Sequence, residues 1–210
     1  MIFRKAVFLA ALAVAVPTTS ALAQVGAYGM FTVNQLSNIA SSPQPATPTD
    51  LANTRSNDVN PLGGTGGVYY DFLKLGPVKL GADLRGSILT TKRGAYVNFN
   101  GGGARIYSAL GGVRGVFSTP VKPLKPYIQL SAGLGRSDYG LFTQGSTNGS
   151  VVLHNNFEYE GLAGLDVKVF PIMDWRVVEL GYGGLNPFGT YSHNYPIKQV
   201  SMGFVFHLPF

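Results

Sequence analysis

An all-β chain, closing into an eight-stranded antiparallel up-and-down transmembrane β-barrel, is predicted by three observations. Two-residue alternation of apolar and polar residues persists over unusually long runs; the number of such runs is even; and the connections between them alternate between short and long. Eight runs can be drawn: Gln24 to Val33, Gly63 to Leu73, Val78 to Thr90, Ala104 to Ser118, Tyr127 to Arg136, Phe157 to Phe170, Trp175 to Gly184 and Lys198 to Phe210. Most reach or exceed the ~9–11 residues that a tilted strand needs to cross a bilayer, whereas ordinary strands average about 5–6.

The last run states the pattern most plainly. Val200, Met202, Phe204, Phe206, Leu208 and Phe210 form one apolar face, while Gln199, Ser201, Gly203 and His207 share the other with Val205 and Pro209. In the sixth run Phe157, Tyr159, Ala163, Leu165, Val167 and Val169 alternate with Glu158, Glu160, Gly164, Asp166 and Lys168. So charged an inner row is untenable in a soluble core unless each charge is paired. In a barrel whose apolar face meets lipid it becomes the lumen.

The connections carry separate information. Lys74 to Pro77, Thr119 to Pro126 and Pro171 to Asp174 are short or stiffened by proline, whereas Asn34 to Leu62, Thr91 to Gly103, Ser137 to Asn156 and Leu185 to Ile197 are longer and polar. Short turns at one rim and long loops at the other are the pattern of outer-membrane barrels, the long loops facing outward from the cell.

Composition sets the outer bounds. The chain has 210 residues, 28 Gly, 24 Phe plus Tyr (13 + 11), no Cys and 12% charged residues, which excludes disorder, disulfide stapling and thiolate metal sites. Residues 1–23 read as a signal peptide: Arg4 and Lys5, an apolar stretch from Ala6 to Val16, and the small residues Ala21 and Ala23 at the cleavage site. The barrel domain then spans 24–210, with a net charge of +4 (14 basic minus 10 acidic), too mild and diffuse for nucleic-acid binding. No later stretch of ~18–20 apolar residues exists to span a bilayer as a helix.

An eight-stranded lumen is only wide enough for side chains, so its charges must meet. The expected network comprises Asp83, Arg85, Arg114, Glu158, Glu160, Asp166, Lys168 and Glu179. A tight turn over Pro171 to Asp174 puts Asp166 opposite Glu179, and two facing carboxylates need a cation, for which Lys168 and Arg114 are the nearest candidates. Such charges are tolerable when paired, which favours a salt-bridged plug over a transport path. Tyr69, Tyr70, Phe72, Tyr107, Phe117, Phe157, Tyr159, Phe170 and Trp175 lie toward strand ends and read as interfacial girdles. Glycines within the runs (Gly81, Gly86, Gly111, Gly112, Gly115, Gly133, Gly135) read as relief for curvature and lumen packing. The clusters at 63–67 and 101–103 read as rim loops, since neither joins a strand to a helix as a phosphate loop must.

On the signal peptide, the eight runs and the closing ladder Met202-x-Phe204-x-Phe206-x-Leu208-x-Phe210, the chain resembles small bacterial outer-membrane barrels of the OmpA and OmpX type, barrel domain only. That resemblance implies a bacterial outer-membrane location and a C-terminal signal, Gly203, Phe204, Phe206, Leu208 and Phe210, read by the barrel-insertion machinery. Outer-membrane lipids and lipopolysaccharide are the other expected partners, with no nucleic acid, no cofactor and a monomeric state. Because His154, His193 and His207 are scattered and Ser192 adjoins His193, neither a zinc site nor a Ser–His–acid wall site is assembled by spacing, and the expectation is a protein without enzymatic activity. Its role is expected to be structural, adhesive or surface-interacting through the external loops; a lipid A modifying enzyme and a narrow small-solute channel are the alternatives.

Overall fold

The computed structural model describes residues 24–36, 60–90, 105–121, 123–137, 154–188 and 194–208. The expected signal peptide with Ala21 and Ala23, most of each long connection, and the terminal Phe210 lie outside them.

Eight strands follow one another: β1 (Gln24–Leu36), β2 (Leu62–Leu75), β3 (Val78–Thr90), β4 (Arg105–Phe117), β5 (Leu124–Ser137), β6 (His154–Phe170), β7 (Met173–Pro187) and β8 (Tyr195–Leu208). Every strand pairs antiparallel with its neighbours in sequence, and β1 pairs with β8, so the sheet closes. Closure is what permits a sheet in hydrocarbon, because no edge is left with unpaired amides.

Several boundaries differ from the alternation. β5 begins at Leu124 and carries Pro126 within it, opposite Leu165. The glycine cluster at 63–67, expected at a rim although the second run starts at Gly63, lies inside β2 and pairs with β1 and β3. The turn between β2 and β3 shrinks to Gly76 and Pro77, with Gly76 at φ 58°, a left-handed conformation that glycine adopts without steric cost.

The outer wall is apolar. Phe31, Leu84, Ile88, Val113, Leu130, Leu134, Leu180, Met202, Phe204 and Phe206 all project outward and remain exposed, a contiguous greasy band of a kind that soluble monomers rarely show and that lipid-facing strands require. Tyr70, Phe72, Phe117, Phe157, Phe170 and Trp175 join this exterior toward strand ends. Tyr69 departs from the expected girdle: it points inward and is buried.

The lumen is packed by a recurring device. Tyr69 lies opposite Gly26, Tyr28 opposite Gly67 and Tyr127 opposite Gly164 in the strand register. In each case a Cβ on the glycine would fall within 2.3–2.6 Å of the tyrosine's ring or hydroxyl. The ring therefore lies flat across the neighbouring strand, which lets large side chains fit a narrow cylinder. At the long-loop end Leu36, Leu89, Ile106, Leu185 and Ile197 form a buried apolar layer.

Candidate functional site: the charged lumen

Below that apolar layer the interior is polar. Thr32 hydrogen-bonds to Thr65 and Ser201, Ser108 donates to Glu158, and Gln199 reaches Glu160. Asp83 accepts hydrogen bonds from Tyr28 and Gln129. Arginines then link the walls. Arg85 on β3 meets Glu179 on β7 at 2.6 Å and Glu160 on β6 at 3.4 Å. Arg114 on β4 meets Asp166 on β6 at 2.8 Å.

The central cation is Arg176. It grips Asp166 with two nitrogens, Nε and Nη2, at 2.8 and 3.1 Å, and reaches Glu179 at 3.3 Å with Nη1. Paired planar hydrogen bonds of this kind are the strong form of an ion pair. Aromatic faces hold the guanidiniums: Arg114 lies 4.3 Å from the Tyr69 ring centroid and 4.4 Å from that of Tyr127, and Arg176 lies 4.7 Å from Tyr28 and 4.5 Å from Tyr127. Such stacking is strengthened when water is absent. Tyr127 also donates its hydroxyl proton to Glu179.

Seven residues expected in the network, Asp83, Arg85, Arg114, Glu158, Glu160, Asp166 and Glu179, are buried inside the barrel. Lys168 is not among them, being exposed at the end of β6. Nor does Asp166 face Glu179. The register sets Glu179 against Gly164 because the turn is only Pro171 and Ile172, with β7 beginning at Met173, and a slip between Leu165 and Asp166 moves Asp166 from Val177 onto Arg176. The cation between the two carboxylates is Arg176, a residue that strict alternation from Glu179 assigns to the lipid face. The β7–β8 register also shifts between Arg176 and Glu179, where the half-buried Val177 and Val178 take up the extra residue. A bulge of that kind re-aims the side chains before it. The signal available in the sequence is Arg176-Val177-Val178-Glu179 itself, two charges three apart that no unbroken strand can put on one face.

Toward the short-turn rim a second cluster surrounds His207. Its Nε2 lies 2.7 Å from Asp174, and its Nδ1 lies 3.0 Å from the Tyr69 hydroxyl and 2.8 Å from the Gln24 amide. Lys125 donates to the same Asp174 oxygen. Asp174, read from sequence as a turn residue, is an inward residue of β7 and is buried.

Of the residues expected to form a barrel-insertion signal, Phe204, Phe206 and Leu208 project outward near 47% exposure (48, 48 and 46%). Gly203 faces Met30 across the β1–β8 seam. A Cβ there would strike the Gly29 carbonyl at 2.1 Å, so this glycine has a packing reason of its own.

No family model and no curated protein matches the chain. Solved structures to which it is similar include Neisserial surface protein A, at 14% identity, covering 90% of this chain and 97% of that one with a TM-score of 0.47. Another is the attachment invasion locus protein Ail of Yersinia pestis, at 10% identity, 89% and 98% coverage and a TM-score of 0.48. A third is the outer membrane enzyme PagL, at 15% identity, 90% and 99% coverage and a TM-score of 0.39.

Proposed function

We propose that the chain is an integral barrel of the bacterial outer membrane that conducts neither ions nor solutes and acts at the cell surface through its long loops. Arg176 carries this reading: a buried guanidinium tied to Asp166 and Glu179, with Arg85 and Arg114 tied to the same two carboxylates, spans the lumen. Opening a path through it means separating desolvated charges, and breaking one buried pair costs ~3–5 kcal/mol. The apolar layer at the long-loop end adds a second obstacle, since hydrophobic constrictions exclude water. With a closed lumen and a lipid-facing wall, the long connections are what remains to meet a partner, which supports a role in surface interaction or adhesion.

The reading is tested in planar lipid bilayers containing the refolded mature protein. The expected record is flat at 100 mV, with insertion verified separately by a mobility change on boiling in detergent gels. Steady openings in such a preparation mean a channel and overturn the proposal.

A further inference from the structure

Every carboxylate among the described residues is buried, whereas Lys74, Arg136, Lys168 and Lys198 are exposed. The described outer surface therefore carries charge of one sign only. Lys74 and Lys168 stand at the short-turn end, Arg136 and Lys198 at the long-loop end. Such an exterior favours anionic over zwitterionic lipid, since each cation at the headgroup layer is drawn to negative charge there.

One of the four adjoins a groove. Across β5, β6 and β7 the outer wall carries a trough of about 430 Å³, lined by Ile128, Leu130, Gly161, Ala163, Leu180 and Tyr182. Gly161 forms its floor: a Cβ there would meet nothing closer than Leu130 Cδ2 at 3.6 Å, so a partner can lie against the backbone itself. The strand register sets Leu130, Gly161, Tyr182 and Lys198 in one row across four strands, a span of ~14 Å at ~4.8 Å per spacing. That row climbs toward the long loops, because Leu130 lies midway along β5 while Lys198 lies close to Tyr195, the first residue of β8. An apolar trough at depth thus leads up to a cation whose long stem can reach the headgroup level.

The complement of this arrangement is an acyl chain that ends in a phosphate. A second copy of the chain fits less well, because a two-fold contact through the same sector brings like-charged faces together with no exposed carboxylate between them. We propose that the sector seats the lipid A anchor of lipopolysaccharide, one acyl chain in the groove and one phosphate on Lys198. The choice of lipid A rests on the outer-membrane reading above: with the long loops outward, the groove rises into the leaflet that holds lipopolysaccharide. A phosphate monoester also carries about 1.5 to 2 negative charges near neutral pH, more than the single charge of a phospholipid diester.

The test is native mass spectrometry of the refolded mature protein, released from detergent after titration with lipid A, phosphatidylglycerol or phosphatidylcholine. Saturable binding of a single lipid A is expected, with phosphatidylglycerol weaker by about threefold or more and phosphatidylcholine by about tenfold or more. Lys198→Gln and Gly161→Leu should each weaken lipid A by about fivefold, while Lys168→Gln, at the opposite rim, leaves it unchanged. Heat-modifiable gel mobility verifies that each variant is folded; should Gly161→Leu fail to fold, Lys198→Gln and the lipid series still decide. Equal binding of the three lipids by the folded protein, undiminished binding by Lys198→Gln, a loss as large in Lys168→Gln, or a dimer that Gly161→Leu abolishes overturns the proposal and leaves the barrel reading standing. A chain that needs no detergent and shows no mobility change overturns that reading and the proposal with it.

Discussion

Gly164→Ala is expected to destabilise the barrel by about 2–3 kcal/mol, although adding a methyl group to a strand glycine ordinarily helps. The new Cβ would stand 2.4 Å from Tyr127 Cζ and Oη and 2.6 Å from Cε1. Tyr127 has no easy retreat: it is 1% exposed, its ring lies between Arg114 and Arg176 at 4.4 and 4.5 Å, and its hydroxyl is bonded to Glu179. Overpacking costs ~1–3 kcal/mol, and displacing the ring also weakens a hydrogen bond to a charged group, worth ~1.5–3 kcal/mol. Restricting the unfolded chain returns only ~0.4–1 kcal/mol, so the steric and polar effects win. Gly161→Ala supplies the opposite sign. That glycine's nearest neighbours are Leu130 Cδ2 at 3.6 Å and the Tyr182 carbonyl at 3.8 Å, which is ordinary contact, so the entropic gain should appear alone. Urea unfolding in phospholipid vesicles, followed by tryptophan fluorescence from Trp175, measures both. In a Tyr127→Leu background the cost of Gly164→Ala should shrink by about 1–2 kcal/mol, as a coupling between contacting residues requires. Gly164→Ala within about 0.5 kcal/mol of the parent, or Gly161→Ala as damaging as Gly164→Ala, would refute the packing argument.

Arg176→Gln should cost about 3–5 kcal/mol in the same assay, because it leaves Asp166 and Glu179 buried with fewer counter-charges; Lys168→Gln, at an exposed position, should stay within about 0.5 kcal/mol. Equal effects of the two would mean that Arg176 is not the central cation. Leu130→Lys, on the outer wall at 73% exposure, should be neutral for a protein in water but should lower stability in vesicles by up to ~2–4 kcal/mol if the position lies near the bilayer midplane. A stability unchanged by that substitution argues against a lipid-facing wall.

The barrel was legible because lipid outside and charge inside make the alternation long and strict, as in β8, where Val200 to Leu208 keep one phase throughout. Inward parity in a narrow cylinder also put Arg85, Arg114, Glu160 and Glu179 on the inner wall, but it did not say which of them would pair. What escaped was whatever breaks the phase. A bulge at Val177 and Val178 turns Arg176 inward, and a turn of two residues, Pro171 and Ile172, rather than four keeps Asp166 from facing Glu179. Tyr69 escaped for a different reason: an aromatic near a strand end suits a headgroup boundary equally well, and only its pairing with Gly26 shows that the inner wall has room for it. The His207 cluster depends on β7 beginning at Met173, two residues before the alternation becomes visible.

The seam between the first and last strands has twelve register pairs, from Val25 with Leu208 to Leu36 with Ile197. Until β8 arrives, β1 and β7 both present open amide rows, which hydrocarbon does not tolerate. Synthesis runs from β1 to β8, so the chain must be released whole before it can enter a bilayer in closed form. Shortening it by one strand should therefore yield a polypeptide that waits in the aqueous compartment, dependent on chaperones, rather than a smaller cylinder.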